Sequence, residues 1–62
     1  MSLADAMTRV KAEYLEMPGL QLTGAQAARL WHFDRAFSDA VLSALVDTRF
    51  LVKTRTSAFA RP

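Results

Sequence analysis

The fold is decided by residues 22–54, LTGAQAARLWHFDRAFSDAVLSALVDTRFLVKT, a little over half of this 62-residue chain. Thr23 and Gln26 form a T-x-x-Q capping box, which predicts a helix over residues 23–31. The tripeptide 32–34, His-Phe-Asp, predicts a tight turn, and Asp34 is a good N-cap for a third helix over residues 34–48. Two short helices joined by such a turn make a helix-turn-helix.

The residues after the third helix predict a small β-hairpin. Residues 50–54, FLVKT, are rich in aromatic and β-branched side chains, which favour a strand. Residues 57–60, SAFA, are the predicted returning strand, with Arg55 and Thr56 as the turn. The turn contains neither glycine nor asparagine to accept a positive φ, so the hairpin is less strongly encoded than the helices.

The N-terminal residues predict a first helix over residues 2–17. Ser2 and Asp5 form an S-x-x-D variant of the capping box, and Pro18-Gly19 ends the helix. Apolar side chains recur at spacings of three and four, which is typical of one buried helix face: Leu3, Met7, Val10, Tyr14 and Met17. A short extended stretch, Leu20–Leu22, leads into the second helix. The sequence therefore predicts one mainly α domain, residues 1–62, with three helices and a small β-hairpin.

Composition restricts the kinds of function that this chain can have. The chain has no cysteine, and its single histidine, His32, cannot form a zinc site by itself. There is no phosphate-binding glycine loop, and we expect no enzymatic activity, cofactor, metal or small-molecule substrate. No apolar run is long enough for a membrane span, so we expect a cytoplasmic protein with no membrane contact. Because 52% of the residues are hydrophobic in so short a chain, self-association is also expected.

The charge is unevenly distributed between the two halves of the chain. Residues 1–34 carry three basic and four acidic groups, a balance of −1, whereas residues 35–62 carry five basic and two acidic groups, a balance of +3. A basic C-terminal half suits contact with a polyanion such as DNA. It is equally typical of a solvated face that keeps a small protein in solution.

The chain resembles the winged helix domains, a family of helix-turn-helix proteins with a β-hairpin. The residues that carry the resemblance are the pair Leu22-Thr23, Ala28, Leu42, Leu45 and the pair Phe50-Leu51. Where relatives often have glycine before the final strand, this chain has Arg49, which we expect in a left-handed conformation. The segment EYLEMPGLQLT, residues 13–23, followed by QAARLW, residues 26–31, is also similar to a group of small uncharacterised bacterial proteins.

The resemblance implies a small bacterial DNA-binding protein, with a role in transcription regulation as one expectation. In such domains the exposed side of the third helix reads bases and the hairpin, or wing, contacts phosphate. On this chain the third helix would present Arg35 and Ser43 to double-stranded DNA. The hairpin would present Lys53, Arg55 and Arg61, and further backbone contacts would come from Gln26 and Arg29.

A protein-interaction or dimerisation module with the same fold is the alternative. The third helix offers a single arginine, and Asp39 and Asp47 lie on the side that would meet phosphate. A homodimer or other protein partner would use apolar side chains, with a set of candidates on the first and third helices: Met7, Val10, Tyr14 and Phe37. Trp31 is interpreted as a core anchor.

Overall fold

A computed structural model describes residues 2–62 and begins with helix α1, Leu3–Glu16. Ser2 is the N-cap, and its hydroxyl accepts a hydrogen bond from the Asp5 N–H at 3.1 Å. The Met17 N–H donates to the Glu13 carbonyl at 3.0 Å and closes the last turn. The S-x-x-D pattern thus starts the helix as the sequence predicts, and the helix ends just before Pro18.

The second helix, α2, spans Gly24–Trp31 and follows directly on strand β1, Gln21–Thr23. Both bonds of the predicted capping box are present: the Thr23 hydroxyl accepts from the Gln26 N–H at 3.2 Å, and the Gln26 side chain accepts from the Thr23 N–H at 2.9 Å. The helix ends at His32, which has a left-handed backbone with φ of 56°. The Phe33 N–H then donates back to the Ala28 carbonyl, which reverses the chain toward α3.

The third helix, α3, spans Arg35–Asp47. The Asp34 carboxylate caps it by accepting from the Ala36 N–H at 3.2 Å. At its C-terminal end Arg49 adopts φ of 66°, which confirms the left-handed conformation expected from the sequence. The N–H groups of Arg49 and Phe50 donate to the carbonyls of Val46 and Leu45, the bonding pattern of a Schellman motif.

The hairpin is shorter than the sequence predicts. Strand β2 is Val52–Lys53 rather than residues 50–54, and β3 is Ala58–Ala60 rather than residues 57–60. Phe50 and Leu51 are excluded from β2 because both N–H groups donate to the Leu45 carbonyl at the end of α3. Ser57 is excluded from β3 because it takes the positive φ of the turn, 63°.

The sheet has a third strand, β1, where the sequence predicts only a short extended stretch. β1 pairs antiparallel with β3, placing Leu22 opposite Phe59, and β3 pairs antiparallel with β2, placing Lys53 opposite Phe59. The order β1-β3-β2 makes the last strand of the chain the central one. The prediction of a mainly helical fold with a small β structure is confirmed, with a three-stranded sheet in place of an isolated hairpin.

The core lies between the three helices and the inner face of the sheet. Trp31 is 4% exposed, which confirms it as a core anchor, and the Tyr14 hydroxyl donates to the Phe59 carbonyl at 2.7 Å. The core consists mainly of these buried side chains: Ala6, Val10, Tyr14, Ala27, Trp31, Val41, Leu42, Leu45, Leu51 and Phe59. Among residues 2–62, no helix has the length and apolar character needed to cross a membrane.

Candidate nucleic-acid interface

An open groove separates the exposed side of α3 from the hairpin. Its volume is 370 Å³, and its walls come from the start of α2, from α3 and from the hairpin: Gly24, Arg35, Asp39, Ser43, Lys53, Ser57 and Phe59. An adjoining concavity of 140 Å³ shares Ser43, Lys53 and Phe59 with it and extends to Asp47. We call the two together the α3–hairpin groove. It brings the third helix and the hairpin, which the sequence predicted as one binding surface, onto a common side of the molecule.

The helical wall of the groove is a polar stripe on α3. Arg35, Asp39, Ser43 and Asp47 recur every four residues, so that they lie above one another on one face of the helix. The opposite face is buried in the core through Ser38, Val41, Leu42 and Leu45. The core therefore fixes the rotation of α3 and turns the polar stripe outward.

Arg35 and Asp39 form an ion pair within this stripe. The Arg35 Nε lies 3.1 Å from the Asp39 Oδ1, and the two side chains are 62% and 50% exposed. An exposed pair at this helical spacing contributes only about 0.3–0.5 kcal/mol to stability. Its main consequence is local: it cancels the negative charge of Asp39 inside the groove and fixes one edge of the guanidinium.

Gly24, the first residue of α2, makes room for that pair. A Cβ at this position would lie 2.2 Å from the Asp39 Oδ1 and 3.2 Å from the Arg35 Nε. The φ of Gly24 is not positive, so the backbone itself does not require glycine here. The same junction is tied by the buried Ser38, whose hydroxyl donates to the Gly24 carbonyl at 3.2 Å.

The hairpin carries two exposed cations, of which Lys53 lines the groove. Lys53 lies on the same side of the sheet as its cross-strand partner Phe59, with its Nζ 5.8 Å from the ring centroid. Arg55 is exposed in the turn at the tip. The turn is closed by Thr54, whose carbonyl accepts from the Ser57 N–H and whose hydroxyl accepts from the Ala58 N–H at 3.1 Å. These bonds hold the tip in one shape although it has no glycine.

Two of the predicted DNA-contacting residues have other roles in the structure. The Arg61 guanidinium lies 3.9 Å from the Phe50 ring centroid and donates to the Phe50 carbonyl, while Lys11 approaches the same ring at 5.5 Å. Arg61 thus fastens the C-terminal end to the α3–β2 loop and does not line the groove. Gln26 is exposed, but its side-chain oxygen is bonded in the α2 cap. Arg29 is exposed on the last turn of α2, outside the groove lining.

The predicted protein-interface residues are mostly part of the core. Val10 and Tyr14 have no exposed surface, because the apolar stripe of α1 packs inside its own domain. Met7 is half-buried against the same cluster. Phe37 is also half-buried, with its ring edge-on to Phe33 at a centroid distance of 5.2 Å. Val10 and Tyr14 therefore have no surface with which to contact a partner, whereas a protein interface at Met7 and Phe37 stays a prediction.

The groove offers charged and hydroxyl side chains that can form ion pairs and hydrogen bonds with a ligand. Its cations, Arg35 and Lys53, are balanced by Asp39 and Asp47, and two serine hydroxyls are available for hydrogen bonding. Residues 2–62 contain no group of three or more side chains suited to hold a metal ion. No family model, curated protein or solved structure matches this chain.

Proposed function

We propose that the chain is a winged helix domain that binds double-stranded DNA through the α3–hairpin groove. The observation that carries the proposal is that the outward polar stripe of α3 and the basic hairpin border one open groove. The order of elements, two helices joined by a tight turn and followed by a hairpin, supports the resemblance to winged helix domains. A role in transcription regulation in a bacterial cell fits such a domain.

The dimensions and side chains of α3 suit the DNA major groove. An α-helix with its side chains is about 10–12 Å across, and the major groove of B-DNA is about 12 Å wide. Around Arg35, Asp39 and Ser43 the exposed helix surface is completed by Ala36 and Ala40, which add little bulk. The N-terminal part of α3, which carries Arg35, would then meet base edges, as in other helix-turn-helix proteins.

The hairpin would contact the phosphate backbone. Lys53 and Arg55 are exposed, and the turn adds the hydroxyls of Thr56 and Ser57. Phosphate contacts of this kind come from basic and hydroxyl side chains and position a protein on the duplex. Arg29, exposed on the last turn of α2, supplies a third cation. With about three phosphates neutralised, the affinity should depend on salt with a logarithmic slope of about −2.7.

Fluorescence anisotropy with a labelled mixed-sequence duplex tests the proposal. We expect binding at about 50 mM salt that weakens steeply toward about 200 mM, as counterion release requires. Arg55→Glu reverses a charge at the hairpin tip and should weaken binding at every sequence. Arg9→Glu is the matched control, because it makes the same charge change on the exposed side of α1, outside the groove. Absence of binding at the lower salt, or equal losses in both variants, overturns the proposal.

A protein-binding or dimerisation module is the second candidate. It is supported by large apolar side chains that are between 42% and 62% exposed: Leu3, Leu15, Met17, Leu30 and Val52. Exposed apolar side chains favour contact with a second protein when they lie next to one another in one patch. Sedimentation equilibrium at high micromolar concentration measures self-association directly. A strictly monomeric protein would exclude the homodimer.

A further inference from the structure

We propose that Arg35 reads a guanine base in the major groove, and that Asp39 and Gly24 are positioning residues that hold its guanidinium for this contact. The inference rests on the proposed DNA binding and adds to it a specificity-determining residue. Arg35 is the first residue of α3 and 62% of its side chain is exposed in the groove. That end of the helix is the part that approaches base edges in helix-turn-helix proteins.

The ion pair uses the Arg35 Nε and leaves free the edge of the guanidinium that carries the two terminal nitrogens. Asp39 accepts from the Arg35 Nε, and a guanidinium has five N–H donors in a fixed planar fork. The N–H groups of the two terminal nitrogens therefore remain available. A bidentate pair from arginine to the O6 and N7 of guanine is the commonest specific contact in the major groove. An arginine already held on one edge loses less freedom when it binds the base.

Gly24 leaves the space in which the pair lies. Its missing Cβ would lie 2.2 Å from the Asp39 Oδ1, so the carboxylate occupies space that any other residue at this position would fill. Alanine would favour the helix, and the φ of Gly24 gives no conformational reason for glycine. The space is therefore used by Asp39 and Arg35. Gly24 at the start of α2 thus leaves room for the guanidinium and carboxylate at the first two turns of α3.

The charges of the pair favour base reading over phosphate binding. Arg35 and Asp39 together carry no net charge, so they add little to the sequence-independent attraction of the backbone. The Asp39 carboxylate would repel a phosphate beside it, whereas base edges in the major groove also present hydrogen-bond donors. The hairpin then supplies the sequence-independent affinity for DNA, and α3 discriminates between base sequences.

The test is selection from a duplex library with a randomised central segment, followed by affinity measurements on the selected duplex and on its G·C→A·T variants. For the wild-type chain we expect one fixed G·C pair, with about tenfold discrimination against A·T at that position. Arg35→Lys keeps the charge but cannot form the bidentate pair. Gly24→Ala keeps every charged group and displaces Asp39. Both should reduce the discrimination to less than about threefold, while affinity for an unselected duplex changes by less than about twofold.

Arg55→Ala is the converse control, since it should weaken binding to both duplexes and leave their ratio unchanged. The fluorescence of the buried Trp31 verifies that each variant is folded. Salt-dependent binding without a G·C preference overturns this inference and leaves the proposed function intact. Absence of binding to any duplex overturns both. If Arg35→Lys loses the preference but Gly24→Ala retains it, the positioning role is overturned.

Discussion

The hydroxyl of Tyr14 joins α1 to the central strand of the sheet, and its removal should measurably weaken the fold. It donates to the Phe59 carbonyl at 2.7 Å, and the Tyr14 side chain has no exposed surface. Tyr14→Phe keeps the ring and its packing but leaves the carbonyl without this donor. Loss of a buried hydrogen bond of this kind costs about 1–3 kcal/mol of unfolding free energy.

Burial of the Tyr14 side chain makes the stability of the wild-type chain depend on alkaline pH. Burial raises the pKa of the Tyr14 phenol from 10.0 to about 12, because desolvation disfavours the phenolate. The folded-state pKa of Tyr14 exceeds its unfolded-state pKa. The contribution of Tyr14 to the unfolding free energy is therefore complete below about pH 10 and is lost as pH rises through about 12. The linkage relation gives a loss on the order of 1 kcal/mol by pH 11 and about 2 kcal/mol by pH 12.

Urea unfolding of both proteins between pH 7 and 11, followed by Trp31 fluorescence, measures this effect. Trp31 is the single tryptophan and is 4% exposed, so its emission reports the core. Every other titratable side chain is common to both proteins, so its contribution cancels in the difference between wild type and Tyr14→Phe. That difference should shrink by about 1 kcal/mol from pH 8 to 11. A constant difference, or formation of tyrosinate near pH 10 in the folded chain, would refute the reasoning.

Two further predictions concern helix ends and are measured by the same unfolding assay. Thr23→Ala removes the hydroxyl that caps α2 and should cost about 1 kcal/mol, and an unchanged midpoint would contradict the role of the capping box. Arg49→Gly should raise the unfolding free energy by roughly 0.5–1 kcal/mol, because glycine accepts the φ of 66° without the penalty of a side chain. Arg49→Ala removes the same side chain without freeing the backbone and should give no gain.

The parts of the fold that follow from the sequence are those fixed by local chemistry. A helix begins where Ser2, Thr23 or Asp34 satisfies free N–H groups, and each of these caps forms with residues no more than three positions away. The left-handed Arg49 was expected from the resemblance to winged helix domains, in which glycine often stands before the final strand, and its φ of 66° agrees. The β1 strand was not predictable from local sequence, because Gln21–Thr23 becomes a strand only by pairing with β3, more than 30 residues later.

The candidate site was predictable in its elements and not in its individual side chains. The sequence places α3 and the hairpin together, but it does not show that Arg61 packs on Phe50 instead of facing the groove. The apolar stripe of α1 likewise indicates a buried face without identifying what buries it, so Tyr14 was assigned to a partner. The spacing of Arg35 and Asp39 did carry a signal, because residues four apart on a helix can pair. No signal in the sequence indicates the role of Gly24, because that role depends on how α2 packs against α3.

The distribution of charge connects the two candidate functions. Arg61 is committed to Phe50 and Arg35 to Asp39, so the proposed phosphate contacts rest on three cations, Lys53, Arg55 and Arg29. These three give one domain a logarithmic salt slope of about −2.7. So few contacts give a single domain weak affinity for any duplex. Two copies joined through exposed apolar side chains such as Leu15 would double the slope and bind a duplex as one unit. A slope near −5 together with a dimer in sedimentation would therefore join DNA binding and self-association in one mechanism, whereas a slope near −2.7 assigns binding to the monomer.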